Sequence, residues 1–169
     1  ITAIFFEAHA HKQRIITLQH LKAAADRLRG SESALRILRE RVEQDRMPLL
    51  SLLQIRPLKM QAAHLSFQEY FTARSVCDGA PLPTPPWQLD AWWANTVRLG
   101  VEMGRTFGEG LLRAKGASSI KSSQTKLELK VEGDAGTVAA AFGAMLKAAA
   151  QVEELKVSNV GKPLGLELS

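Results

Sequence analysis

Between Thr17 and Gly30, apolar side chains recur at Leu18, Leu21, Ala24, Ala25 and Leu28, the three-and-four spacing of one helical face. Thr17 is placed to cap this helix and Gly30 to end it. A second helix is predicted after Ser31 or Ser33, with Leu35, Leu38 and Val42 on one face and charged residues opposite. It stops at Met47-Pro48, because a proline ring disfavours the helical conformation of the residue before it. Leu49 to Ile55 and Leu58 to Leu65 are dense in aliphatic residues on either side of Arg56-Pro57, the pattern of two short strands joined by a turn. Ser66-Phe67-Gln68-Glu69 then has the form of a capping box, opening a helix to about Val76 with Phe67, Tyr70 and Phe71 as an aromatic face.

Residues 79–86 hold four prolines in eight positions, which excludes helix and central strand alike. Pro86 stands where a first helical residue would, and Leu89, Trp92, Trp93 and Val97 form an apolar stripe leading to a joint at Gly100 to Gly104. Thr106-Phe107-Gly108-Glu109 repeats the capping-box form, with Leu111 and Leu112 carrying that helix toward Gly116. The Trp92-Trp93 pair reads as core packing rather than a platform for stacked bases.

Beyond Ser123 the pattern changes. Leu127, Leu129 and Val131 alternate as a strand; Val138, Ala141, Phe142, Met145, Leu146 and Ala149 follow helical spacing; Leu155 and Val157 alternate again. Leu127-Glu128-Leu129 aligns on Leu155-Lys156-Val157 with a shift of 28 residues, the arithmetic of a leucine-rich repeat with a helix on its convex side. The asparagine expected after the strand is absent in register: Glu132 and Val160 stand there, with Asn159 displaced by one. Leu164, Leu166 and Leu168 alternate out of period. A single repeat cannot close a solenoid core, so this piece must lean on neighbours or on further repeats.

The 169 residues are 46% hydrophobic and 23% charged, which suits a globular chain of one domain or two small ones. The longest uncharged run, residues 135–146, is short of the roughly 18 to 20 apolar residues of a membrane span. Cys77 stands alone, so an internal disulfide and a multi-thiolate zinc site are excluded. Its expected setting is inert, in a reducing intracellular compartment, the cytoplasm by default or an organelle. The chain starts at Ile1 with no signal order ahead of it, as a processed chain or an excised piece would, and no targeting is legible. All of the +5 net charge lies in residues 1–75, but Arg36, Arg39 and Arg41 alternate with Glu40 and Glu43, the pattern of a solvated, ion-paired helix face.

No phosphate-cradling loop is present: Gly161-Lys162 is followed by Pro163, which has no amide to offer, and no glycine stands five places before Gly161. A Gly-x-Ser-x-Gly elbow is also missing. His9 and His11, two apart, cannot share a helix face and have no nearby cysteine, which leaves no metal set. The expectation is a non-enzyme without a cofactor of its own. His64 lies where strand gives way to helix, and helix starts expose amides suited to anions. An imidazole there reaches either a phosphate or, more simply, the packing of a strand end.

The run His64-Leu65-Ser66-Phe67-Gln68-Glu69-Tyr70-Phe71-Thr72-Ala73-Arg74 resembles the segment that closes the winged-helix part of NACHT-type (STAND) signalling NTPases. Two helices and an apolar hairpin ahead of it, and helices with a leucine-rich-repeat-like segment after it, follow that family's domain order. The place two before the histidine, often aromatic in the family, is Ala62 here. The resemblance implies an α+β, mostly helical chain. Its parts would be a winged-helix-like regulatory region with a short hairpin (1–78), a proline-rich linker (79–86), a helical connector (87–122) and one strand-helix-strand leucine-rich-repeat-like unit (123–169). It also implies that His64 contacts the phosphates of ADP and holds the closed form of a longer parent protein, whose ADP or ATP would sit in an upstream domain.

The function expected is therefore that of a non-catalytic regulatory and protein-interaction segment of a nucleotide-switched signalling protein. The alternative is a small structural or accessory subunit of a larger assembly, suggested by the short length and the truncated repeat. Protein partners are expected and a nucleic acid is not: the helix from Ser66 has Arg74 as its only base, too little for a recognition helix.

Overall fold

Periodicity does not announce the first element. Thr2–Ala10 forms α1, in which Ala3, Ile4, Phe5, Phe6, Glu7, Ala8 and His9 are all buried. A helix enclosed on every side carries no stripe for a period of 3.6 to reveal. The computed structural model describes residues 1–27, 32–44, 46–113, 126–131, 133–148, 154–159 and 162–164. The expectations that fall on Leu28, Gly30, Ser31, Gly116, Ser123, Glu132, Ala149, Val160, Gly161, Leu166 and Leu168 lie outside them. The class is α+β, with helices outnumbering strands. Two units separate, Ile1–Ser75 and Val76–Ser169.

In the first unit, α1 is followed by β1 (Ile15–Thr17), α2 (Leu18–Arg27), α3 (Glu32–Glu43), β2 (Leu50–Gln54), β3 (Lys59–Ala62) and α4 (Leu65–Cys77). The strands form an antiparallel sheet in the order β1-β3-β2, so the second strand of the hairpin inserts beside β1. Ile16 pairs with Met60, and Leu50 with Ala62. Period-two alternation turns Met60 and Ala62 inward, onto a core shared with Ile4, Phe5, Ile16, Leu21 and Val42. Alanine at position 62 is thus enclosed without an aromatic ring. The register shifts between Leu52 and Gln54, and Leu53 at that irregularity and Ile55 beyond it stay about half exposed. α4 begins at Leu65, which puts Ser66 in its first turn rather than at the cap the sequence suggests.

In the second unit, the proline-rich segment buries Leu82 and Pro86. Pro86–Gln88 and Ala91–Trp93 are short 3₁₀ turns, and the helix predicted from Pro86 begins only at Ala94, as α5 (Ala94–Glu102). Leu89, Trp93 and Val97 are buried as the stripe requires, and Trp92 is half-buried. α6 (Arg105–Leu112) starts after Gly104, whose φ of 76° breaks the helical path. The capping box expected at Thr106 and Glu109 is displaced. Gly104 holds the cap position, the Thr106 hydroxyl donates to the Met103 carbonyl at 3.4 Å, and Glu109 pairs with Arg105 at 2.9 Å.

β4 (Lys126–Val131), α7 (Ala135–Ala148), β5 (Glu154–Asn159) and β6 (Lys162–Leu164) complete the chain. β4 and β5 run parallel with Leu127 opposite Leu155 and Leu129 opposite Val157, the 28-residue register read from the sequence. β6 returns antiparallel along the other edge of β5. Asp134 caps α7, accepting from the Thr137 amide at 2.9 Å and its hydroxyl at 2.7 Å. Those two bonds, the hydroxyl's first, hold the Asp134 carboxyl below the usual carboxylate range. Val138, Ala141, Phe142 and Met145 are buried along one face. No helix among the described residues is long and apolar enough to cross a membrane.

Candidate functional site

The segment around His64 is set by what α4 rests on. Gln68, Thr72 and Ser75 recur at spacings of four and three and are buried, so a polar stripe meets the first residues of the chain. Gln68 Nε2 donates to the Gln13 carbonyl at 2.8 Å, and the Ser75 hydroxyl to the Thr2 carbonyl at 3.3 Å. The Thr72 hydroxyl donates to the Gln68 carbonyl at 2.6 Å and has the Phe5 carbonyl at 3.4 Å as its other acceptor. Phe71 stacks on Phe5 with ring centroids 5.7 Å apart. Apolar periodicity cannot reveal a helix anchored through such a stripe, and a capping signal does.

With α4 held in this way, the chain leaves β3 at Ala62. The Ala63 amide donates to the Leu49 carbonyl at 3.0 Å, and the His64 carbonyl accepts from the Phe67 amide at 3.0 Å. The His64 ring is exposed and meets Phe67 edge-on at 5.8 Å. His64 therefore stands at a strand-to-helix junction, its backbone closing the first turn and its imidazole facing solvent, where it can donate to an anion brought from outside.

The other histidines do not join it. His9 is buried in α1, while His11 lies beyond the helix with Nδ1 2.7 Å from the Glu7 carbonyl. His11 and His20 meet edge-on at 5.8 Å. Glu7, buried in α1, accepts from Arg27 Nε at 2.7 Å, and the same guanidinium lies 4.6 Å over the Phe6 ring. Among the described residues, no group of three or more His, Cys, Asp or Glu side chains is placed to hold a metal ion. Cys77 is half-buried, its sulfur 3.7 Å from that of Met103.

His20 has a structural part of its own. Its Nδ1 accepts from the Thr17 amide at 3.0 Å, a side chain in the first turn of α2 reaching back to the residue that precedes the helix. The acceptor is a neutral ring. Burial first, and His11 second, lower the His20 pKa from 6.5 against a smaller opposing effect of Glu7. The unfolded chain therefore takes up this proton first on acidification. Stability contributed by the neutral ring is present above pH 6.5 and is lost as pH falls below it. Urea midpoints are expected to fall between pH 7.5 and 5.5 less steeply in His20→Gln than in the wild type. Equal falls would remove His20 as the cause.

The structure also gathers charges that sequence reasoning does not connect. Lys22 of α2 and Arg36 and Arg39 of α3 line an open depression of about 550 Å³ with Leu18 and Leu35. Leu18 and Arg39 also wall a second depression, of about 460 Å³, completed by Ile55, Arg56, Leu58 and Lys59 of the hairpin. The expected ion-paired face is present beside them, with Arg39 to Glu43 at 2.7 Å and Arg36 to Glu40 at 3.9 Å. Hairpin and helix are far apart in sequence, so only the return of β3 beside β1 brings Lys59 toward Arg39. Compared with protein-family models, with curated proteins and with solved structures, the chain matches none of them.

Proposed function

We propose that this chain is a non-catalytic regulatory and protein-interaction segment of a nucleotide-switched signalling protein of the NACHT type. The observation that carries the reading is the exposed His64 imidazole at the turn from β3 into α4. A helix, a strand, two helices and a hairpin whose second strand lies beside the first strand follow the order of a winged helix, which supports that reading of residues 1–78. Parallel β4 and β5 joined through α7 support a leucine-rich-repeat-like reading of 123–169. β6 occupies the edge of β5 that a following parallel strand would use.

In this reading His64 donates to the phosphates of an ADP held by a nucleotide domain of the parent protein, and its loss frees the closed form. A charge-assisted hydrogen bond contributes about 1.5–3 kcal/mol, or roughly 10- to 100-fold in affinity. His64→Ala in a protein that carries the nucleotide domain is expected to weaken ADP retention by that factor. The exposed substitution should leave the unfolding midpoint of the chain within about 0.5 kcal/mol of the wild type. Unchanged ADP affinity would refute the role of His64, and ATP turnover by this chain above a heat-killed sample would refute the non-catalytic reading.

The second reading is a structural or accessory subunit of a larger assembly. The half-exposed Leu53 and Ile55 on the hairpin favour it, because apolar side chains beside an edge strand are a common means of joining another chain. A stoichiometric complex, together with an open reading frame that lacks any phosphate loop, would select it over the first.

A further inference from the structure

We infer that the two adjoining depressions on the first unit form a docking groove for an acidic amphipathic helix of a partner protein. Its lining has two chemistries in contact. Leu18, Leu35, Ile55 and Leu58 supply an aliphatic floor, and Lys22, Arg36, Arg39, Arg56 and Lys59 supply the cations, with no carboxylate among the described residues of the lining. All five cations are exposed, and among the described residues Lys22, Arg56 and Lys59 have no acid within ion-pair distance.

The charge determines the sign of the occupant, and the floor determines its kind. A segment with leucine-like side chains three and four positions apart and glutamates flanking them meets both, laying its apolar face on Leu18 and Ile55 and its carboxylates against the rim. A duplex nucleic acid meets the rim alone. It would leave the aliphatic floor without an apolar partner and bring phosphates toward Glu40 and Glu43, whereas nucleic-acid interfaces are strongly polar. The two ion pairs within α3 are solvent-exposed, each contributing only about 0.3–0.5 kcal/mol, so Arg36 and Arg39 can exchange these partners for carboxylates of an incoming helix. This groove does not involve His64, and the inference stands whether or not a nucleotide domain precedes the chain.

The test uses the whole chain and a fluorescein-labelled peptide with leucines on one helical face and glutamates on the others, read by fluorescence anisotropy. A peptide of the same composition with its leucines scattered and a labelled duplex DNA serve as comparisons. The amphipathic peptide should bind, weaken as salt rises, and lose about tenfold in affinity in Arg39→Glu, in Arg56→Glu and in Ile55→Ser. The scattered peptide and the DNA should bind at least tenfold more weakly than the amphipathic one. Circular dichroism of the three variants should match the wild type, since each substitution is on an exposed side chain. No binding of the amphipathic peptide, equal binding of the scattered one, tighter binding of DNA, or variants that bind like the wild type would each overturn the inference.

Discussion

Phe5→Ala is expected to cost about 3–5 kcal/mol, close to the whole stability of a unit of this size. Phe5 has 0% exposure, stacks on Phe71 at 5.7 Å and lies in the same core as Ile16, Leu21 and Met60. Truncation removes a ring's transfer energy and leaves a cavity that the sheet on one side and α4 on the other cannot close. In a domain of under about 100 residues each kcal/mol moves the melting temperature by about 4–8 °C, so a fall of more than about 12 °C is the expected reading. Ile37→Ala, at a side chain 48% exposed, should stay within about 0.5 kcal/mol of the wild type. A loss below about 1 kcal/mol for Phe5→Ala would mean that α1 does not form the closed core described.

Glycine to alanine within helices of the second unit should change sign with position. Alanine is the better helix former by about 1 kcal/mol, so propensity alone makes every such change stabilising. At Gly108 of α6 an added Cβ would lie 2.1 Å from the Ala144 carbonyl oxygen and 2.8 Å from the Ala148 Cβ of α7. Backbone cannot rotate aside as a side chain can, so α6 and α7 would have to separate. Overpacking of this kind costs about 1–3 kcal/mol or more, and Gly108→Ala is expected to be a net loss. Gly143, on α7, has nothing within 4 Å of its added Cβ, and Gly143→Ala should gain up to about 1 kcal/mol. Chemical denaturation of the pair decides it: a gain at both positions would show that α6 and α7 do not approach at Gly108.

The elements legible in the sequence are those with one wet face and one dry one. α2, α3, the hairpin strands and α7 carry such stripes, and the parallel register of β4 on β5 follows from a repeat that the chain itself displays. α1 was not legible, because it is enclosed on all faces and lacks that contrast; α4, anchored through Gln68, Thr72 and Ser75 rather than through leucines, was legible from its capping signal and aromatic face instead. The two capping boxes share another difficulty. A Ser/Thr followed three residues on by Glu also satisfies the middle of a first turn, so the helices begin at Leu65 and Arg105, one residue ahead of each motif.

Of the candidate site, the position of His64 could be read beforehand, because the change from strand to helix is written in the residues on either side of it. Its exposure could not, since that depends on what packs over the junction. The histidine pairing was equally hidden. His11 meets His20, nine positions away, rather than His9, because α1 ends and β1 reverses the chain between them.

The amino-acid sequence by itself determined the local order of helices and strands from α2 onward, the repeat register, and the lack of a phosphate loop or nucleophile elbow. Each of these follows from residues near one another along the backbone, where spacing and turn chemistry act directly. The tertiary structure alone decided that β3 lies between β1 and β2, that α1 is enclosed, and that Lys22, Arg39 and Lys59 line adjoining walls. Those facts depend on which apolar faces bury one another across long stretches of chain. Burial is non-directional, and its pairings are settled only when all the faces compete for the same core.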